Sequence, residues 1–419
     1  MRPLSEPFIL SVSGRDRPGL LAELAGALDR AEIEVVDIEQ ATLQDFLALS
    51  FLLDLGLDAG CARRLLGEVI PRASALGLAV DVRRLDTDQV RLLKETDHVV
   101  LTVVSGRASA RLVAALGETA ARHGANVVSI RRLAEEDLRA AEYVLDVSRV
   151  ADATALRAEL LRTAEGLGAD AGLAREDVYR KSKRVVVFDM DNTLVAGEII
   201  DHLAERAGVR DEVAAVTRQA MEGALDFETA LRRRVERLAG LPESVLVEVR
   251  DAMALTPGAE ETIRVLKRLG YRLGLLSGGF TFFVDALRQR LGFDYAFGNT
   301  LEIVDGRLTG RLTGPILDGQ GKAARLREIA EREGVRPDQV VGIGDGANDI
   351  PMLQAAGLGI AFRAKEATRR NADAAIQNND FKGLLYLLGV TGRDLRRMRQ
   401  GDPVPVIRPA AGEPVREGG

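Results

Sequence analysis

"VVVFDMDNTLV", residues 185–195, runs four apolar residues straight into two aspartates that flank one methionine. A continuous β-branched run of this kind suits a strand of a parallel sheet covered on both faces. Residues two apart in extended chain point to the same side, so Asp189 and Asp191 both approach one bound group beyond the strand. The same grammar continues outward from this stretch. "YRLGLLS" (271–277), "VVGIG" (340–344) and "GLGIAF" (357–362) are further apolar runs, each followed by a polar loop and a helical pattern. Strands alternating with helices in this way imply an α/β fold with a parallel sheet. Residues 197–255, between the first two strands, form a largely helical insert without an apolar run of their own and read as a cap.

Open parallel sheets bind ligands beyond the carboxyl ends of their strands. The polar residues at those ends are Asp189 and Asp191, then Ser277 with Gly278 and Gly279, then Asp345, Asn348 and Asp349; Lys322 sits at the helix start in "DGQGKAARL" (318–326). Several carboxylates in one place are tenable only with a cation. Oxygen ligands without a His or Cys cluster select Mg²⁺, a hard ion that favours carboxylates and substrate phosphate. Amide hydrogens of the Ser277 turn, ahead of a helix, suit an anion, and a lysine in the first turn of a helix calls for an anionic partner. Phosphoryl transfer follows: one carboxylate attacks phosphorus, the other serves as acid and base, and metal, lysine and amides spread the charge. "GIGDGA" (342–347) also fits a dinucleotide loop, but that motif wants an acid after the next strand. Arg363 stands there instead, and Asp345 would repel a pyrophosphate.

In this order "DMDNT", Ser277, Lys322 and "GDGAND" (344–349) resemble the haloacid dehalogenase superfamily of phosphohydrolases, over roughly residues 183–390. The resemblance implies that Asp189 is the nucleophile that becomes an aspartyl phosphate. Asp191 protonates the leaving alkoxide and then activates water, while Lys322 stabilises charge. Asp189, Asp345 and the Asp191 carbonyl hold Mg²⁺, supported by Asp349, and Ser277, Gly278, Gly279 and Asn348 line the phosphate site. The cap stretch "AMEGALDFETALRRRVERLAG" (220–240), together with Glu198, resembles the phosphoserine phosphatases within that superfamily. By that likeness Glu198 and Arg234 meet the ammonium and carboxylate of L-phosphoserine, and Met221 and Phe227 shape the pocket wall. The reaction implied is the last step of serine biosynthesis. The alternatives are another phosphorylated small molecule, protein phosphoserine, or an amino-acid-responsive binding protein whose hydrolase half is a relic; the presence of both Asp191 and Lys322 speaks against the last.

The first part of the chain repeats itself. "FILSVSG" (8–14) returns as "VVLTVVSG" (99–106), and each copy continues as helix, strand, strand, helix, strand, the order of ferredoxin-like α+β domains. "GRDRPGLLAEL" (14–24) resembles the first loop of the ACT family of amino-acid-sensing modules; in the second copy Ala108 and Arg111 replace Asp16 and Gly19. The resemblance implies an amino-acid effector, serine, near Gly14, Asp16, Gly106 and Asn126 at an interface between copies, and a homodimer. The expected domains are 1–85 and 86–176 (ACT-like), 182–394 (a Rossmann-like hydrolase with its cap), and 395–419, a Pro- and Gly-rich tail read as disordered. Net charge of -6 and 4% aromatics argue against a nucleic-acid surface. The absence of a long apolar run or of a signal-like start points to a cytoplasmic protein without membrane contact. Cys61, the single cysteine, reads as a small core residue.

Overall fold

The computed structural model describes residues 6–56, 59–86, 97–107, 109–135, 139–221, 223–378 and 380–400. The chain divides into two compact units, residues 1–96 and 97–419. In the first, β1 (Pro7–Arg15), a helix (Leu20–Arg30), β2 (Glu34–Leu43), β3 (Phe46–Asp54), a helical run over 59–75 and β4 (Ala79–Arg84) form an antiparallel sheet of order β2-β3-β1-β4. Alternate strand residues such as Leu10, Val12, Leu49 and Phe51 pack against Leu24, Leu28 and Val69 of the helices, and Cys61 lies against the same cluster.

The second unit begins with the same plan. β5 (His98–Ser105), a helix (Ala110–Arg122), β6 (Asn126–Glu135), β7 (Arg139–Asp146), a helix (Ala153–Gly166) and β8 (Ala169–Arg175) are ordered β8-β5-β7-β6, as in the first copy. The hydrolase strands follow: β9 (Val185–Phe188), β10 (Arg272–Phe280), β11 (Tyr295–Val304), β12 (Arg307–Thr313), β13 (Val340–Gly344), β14 (Leu358–Phe362) and β15 (Ala374–Ile376). β15 pairs antiparallel with β8, so one sheet of eleven strands runs β12-β11-β10-β9-β13-β14-β15-β8-β5-β7-β6. The repeat and the hydrolase, separate in the sequence reading, therefore share a sheet.

β9 is central among the hydrolase strands, and all four of its residues are fully buried. Val186 and Phe188 enter the core on one face, Val185 and Val187 the core on the other, which is why no polar residue interrupts the run. Phe188 is level with Leu275 of β10 and with Ile343 of β13. Asp189, Ser277 and Asp345 thus leave three neighbouring strands at the same end of the sheet. The expected insert is four helices, Ile199–Ala207, Arg210–Met221, Phe227–Glu236 and Glu243–Ala252.

Two features depart from the sequence reading. β11 and β12 form an antiparallel edge hairpin whose turn, Asp305-Gly306, has positive φ at both residues. The Asp-Gly pair was its available signal. The stretch assigned to a tail from residue 395 begins as a helix, Gly392–Gln400. Thr391 and Asp394 exchange hydrogen bonds at its start, and Leu395 and Met398, three apart, pack on the hydrolase core. Residues 401–419 lie outside the described residues. Among the described residues no helix is long and apolar enough to cross a membrane.

Candidate active site

Asp189 follows β9 directly, and its N–H donates to the Ile343 carbonyl at 2.8 Å, which fixes the carboxylate beside β13. Lys322, in the first turn of the helix Gly319–Arg332, is fully buried. Its ammonium donates to Asp189 Oδ1 at 2.5 Å and to Asp349 Oδ1 at 2.7 Å. That helix is capped by Asp318, which accepts from the Gly321 N–H at 2.7 Å. Oxygens of Asp189, Asp345 and Asp349 lie within 4.8 Å of one another. Glycines make this crowding possible: a Cβ on Gly344 would lie 2.4 Å from Asp349 Cγ, and one on Gly319 would lie 2.5 Å from the Asn348 carbonyl oxygen. Asp349 Oδ2 accepts from the Gly346 N–H at 3.0 Å, so its carboxylate is held by lysine and backbone together.

Asp191 faces the other way. Its Oδ1 accepts from the Ile199 N–H, the first of the cap helix, at 2.8 Å, and its Oδ2 from Ser277 Oγ at 3.3 Å. Ser277 Oγ in turn accepts from the Gly279 N–H at 2.8 Å, which leaves its proton for Asp191. The Asp191 carboxylate therefore stands outside the three-carboxylate cluster.

Burial sets the electrostatics. It raises the Asp189 carboxyl well above its usual range; Asp349 adds to the rise and Lys322 opposes it. Asp345 is pushed up to about 7, first by burial and then by Asp349. Asp191 is raised by burial and held back by the Ile199 N–H. Burial pulls Lys322 down, yet Asp189 and Asp349 hold it above the ordinary lysine value. Three acids cannot all ionise around one lysine at neutral pH without more positive charge. The donor set is all hard oxygen, which fits a divalent cation such as Mg²⁺.

The cap contributes the remaining residues. Arg234 Nη1 stands 3.6 Å from Glu198 Oε2, and among the described residues the buried Arg234 Nε has no hydrogen-bond partner. Burial raises Glu198, Arg234 opposes the rise, and Asp191 adds to it, so the pair stands near Asp191. Phe227 closes on the serine turn: a Cβ on Gly278 would lie 2.8 Å from its Cζ and 3.9 Å from Asn348 Nδ2. The Met221 side chain lies outside the described residues.

Two residues went unread in the sequence. Asn299 is buried; its Nδ2 donates to the Gly278 carbonyl at 2.8 Å and its Oδ1 accepts from the Leu317 N–H at 2.7 Å. It thereby clamps the serine turn to the loop that leads into the Lys322 helix. Thr193 Oγ1 donates to Asp345 Oδ1 at 3.3 Å; its place in "DMDNT" was the signal.

The effector candidates fall in both units, Gly14 and Asp16 at the end of β1 and Gly106 and Asn126 in the repeat. In the first, Gly14 pairs with Leu47 under Leu78, and the Asp16 N–H donates to the Asp45 carbonyl at 2.7 Å. In the second, Gly106 follows the end of β5, whereas Asn126 is level with Asp146 and thus with His98 at its beginning. At about 3.3 Å per residue, the length of that strand separates them.

A pair of aspartates after the central strand, a buried lysine, a serine turn and an acidic loop at the strand ends fit the class of haloacid dehalogenase-like hydrolases. Residues 186–354 match that family, and residues 6–83 match the ACT domain. The chain is 38% identical to phosphoserine phosphatase SerB2 of Mycobacterium tuberculosis, over 96% of this chain and 97% of that one. It is 42% identical to the phosphoserine phosphatase of Streptomyces coelicolor, over 93% of both. Among solved structures it is similar to a HAD family hydrolase from Salmonella enterica, at 30% identity and a TM-score of 0.62 over 70% of this chain and 98% of that one. A probable phosphoserine phosphatase from Vibrio cholerae, unliganded, aligns at 30% identity and a TM-score of 0.55 over 73% of this chain and 90% of that one. The chain belongs to the phosphoserine phosphatase family of haloacid dehalogenase-like hydrolases.

Proposed function

We infer that the protein hydrolyses O-phospho-L-serine to L-serine and inorganic phosphate. The observation that carries the substrate is Arg234, whose buried Nε has no partner among the described residues and whose Nη1 stands 3.6 Å from Glu198, on the Asp191 side of the acidic cluster. An amino-acid phosphate brings a carboxylate for that guanidinium and an ammonium for Glu198, and so offsets burial of both.

In the first step an Asp189 oxygen attacks phosphorus, the bond from phosphorus to the serine oxygen breaks, and Asp191 passes its proton to the departing alkoxide. Its raised pKa favours the protonated form that this needs. In the second, Asp191 takes a proton from water, the water oxygen attacks phosphorus, and the bond to Asp189 breaks to release phosphate. Lys322, together with amides of the turn at Ser277, Gly278 and Gly279, neutralises charge on the phosphoryl oxygens. Asn348, beside Phe227, completes the phosphate side. Asp189, Asp345 and the Asp191 carbonyl, with Asp349 in support, would hold Mg²⁺, which would supply the remaining positive charge and polarise the phosphoryl group.

Phosphate release from L-phosphoserine, measured against a panel of phosphomonoesters with and without Mg²⁺, tests this reading. Equal rates across the panel reject the selective pocket, and undiminished rates in chelator reject the cation. We propose in addition that L-serine acts as effector at the ACT domain and that the enzyme is a cytoplasmic homodimer. Calorimetry on the full-length protein that shows no heat with L-serine would remove the effector, and a sedimenting monomer would remove the dimer.

A further inference from the structure

The antiparallel repeat beside the hydrolase (residues 97–175) is joined to it by more than a linker. β8 pairs with β15 through Gly172 with Ala374 and Ala171 with Ala375. A Cβ on Gly172 would lie 2.6 Å from that of Ala374 and 3.0 Å from a Leu387 methyl, so this approach of the two strands requires glycine. Asp170, buried, accepts the N–H groups of Gln377 (2.7 Å) and Asn378 (2.9 Å) just past β15. The contacts then continue toward the catalytic end of the sheet. Gln377 Nε2 donates to the Ala364 carbonyl at 3.2 Å. Arg369 Nη1 donates to the same carbonyl at 3.0 Å and stands 3.3 Å from Glu165 of the repeat. The Arg363 N–H donates to the Ile376 carbonyl at 2.7 Å.

Three of these bonds end on Arg363 and Ala364, the first two residues after β14. Arg363 has φ of 46°, a left-handed conformation that a side chain adopts only under constraint. The positive charge of Lys365, two residues on, is among those that hold back the rise of the Glu198 carboxyl, after that of Arg234. We propose that the repeat domain braces the loop 363–365, with Arg369 as the positioning residue, so that recognition of the amino-acid part of the substrate depends on the β8–β15 seam while phosphoryl transfer does not. The proposal rests on the substrate reading above in that Glu198 is taken to meet the ammonium.

Arg369→Ala removes one of the two donors to the Ala364 carbonyl, together with the Glu165 contact, and leaves the β8–β15 pairing in place, and Gly172→Val opens the seam without touching the loop. For each, kcat and KM are measured with L-phosphoserine and with p-nitrophenyl phosphate, which has no amino-acid group. Amide exchange of a peptide covering 358–370 is followed in parallel. The expected result is a KM for phosphoserine raised about three- to tenfold with kcat within about twofold, unchanged constants for p-nitrophenyl phosphate, and faster exchange at 363–365. Equal losses on both substrates, or unchanged KM and exchange, overturn the brace. If Gly172→Val does not fold, Arg369→Ala carries the test. A wild-type enzyme with no preference for phosphoserine defeats the substrate reading alone, because the exchange measurement still judges the brace.

Discussion

Replacing Lys322 by Met removes the single ammonium that bridges Asp189 and Asp349, at 2.5 and 2.7 Å in a fully buried position. The methionine fills similar volume, so loss of packing is a minor effect and the orphaned carboxylates dominate. Breaking a buried ion pair from one side costs about 3–5 kcal/mol, or about 6–20 °C in the melting of a unit this size. The sign of the pH dependence follows from the carboxyls. Asp345 titrates near 7 in the folded protein, above its unfolded value, so the folded state binds more protons across the interval from about 4 to 7 and its stability falls as pH rises through it. Without Lys322 the rise at Asp189 and Asp345 is larger, and the destabilisation of the variant is greatest above pH 7 and shrinks toward pH 5. Thermal melts from pH 5 to 8.5 in EDTA measure it, and added Mg²⁺ is expected to recover part of the loss by mass action. Turnover falls about 10²- to 10³-fold from the missing charge on the phosphoryl oxygens. A variant as stable as the wild type in EDTA at pH 8 refutes the acidic cluster as a strained site.

Three further outcomes are expected. Asp189→Asn abolishes phosphate release while leaving the far-ultraviolet circular dichroism unchanged, and a fully active variant ends the nucleophile assignment. Arg234→Ala raises KM for L-phosphoserine about 10- to 100-fold, the worth of one charge-assisted contact, and leaves p-nitrophenyl phosphate hydrolysis unchanged; equal losses on both would place Arg234 in the chemistry instead. Asn299→Ala withdraws the donor from Gly278 and the acceptor from Leu317, and kcat with either substrate is expected to drop about tenfold or more. An unchanged kcat would make the clamp a matter of stability only.

The chemistry was legible in the sequence because it is local. Asp189 and Asp345 are fixed by strands whose apolar runs announce themselves, and Lys322 and Ser277 by the turns beside them. What escaped depends on partners distant in sequence. Asn299 sits in β11, the second strand from the edge, between Gly298 and Thr300, and nothing in "FGNTLEI" (297–303) reveals that its two ends meet Gly278 and Leu317. β15 is three residues long, and the seam with β8 is marked only by Gly172, whose meaning depends on Ala374, two hundred residues later.

The site divides its tasks between parts of different rigidity. Asp189, Asp345, Asp349 and Lys322 are held by a register between fully buried strands and by contacts too close to admit a Cβ at Gly319 or Gly344, so the geometry for phosphorus has little freedom to change. Glu198 and Arg234 belong to cap helices, which reach the strand ends through Asp191 and through Phe227 over Gly278. Asp191 is the hinge between the two, since one carboxylate oxygen takes a cap amide and the other a core hydroxyl. The proton that leaves with serine is thus governed by the same residue that senses whether the cap helix is seated. Substrate that fills the Glu198–Arg234 pair is expected to hold that helix in place, and with it the Ile199 N–H that already reaches Asp191, whereas a phosphate ester with nothing for the cap to hold would meet the nucleophile with its acid less firmly placed.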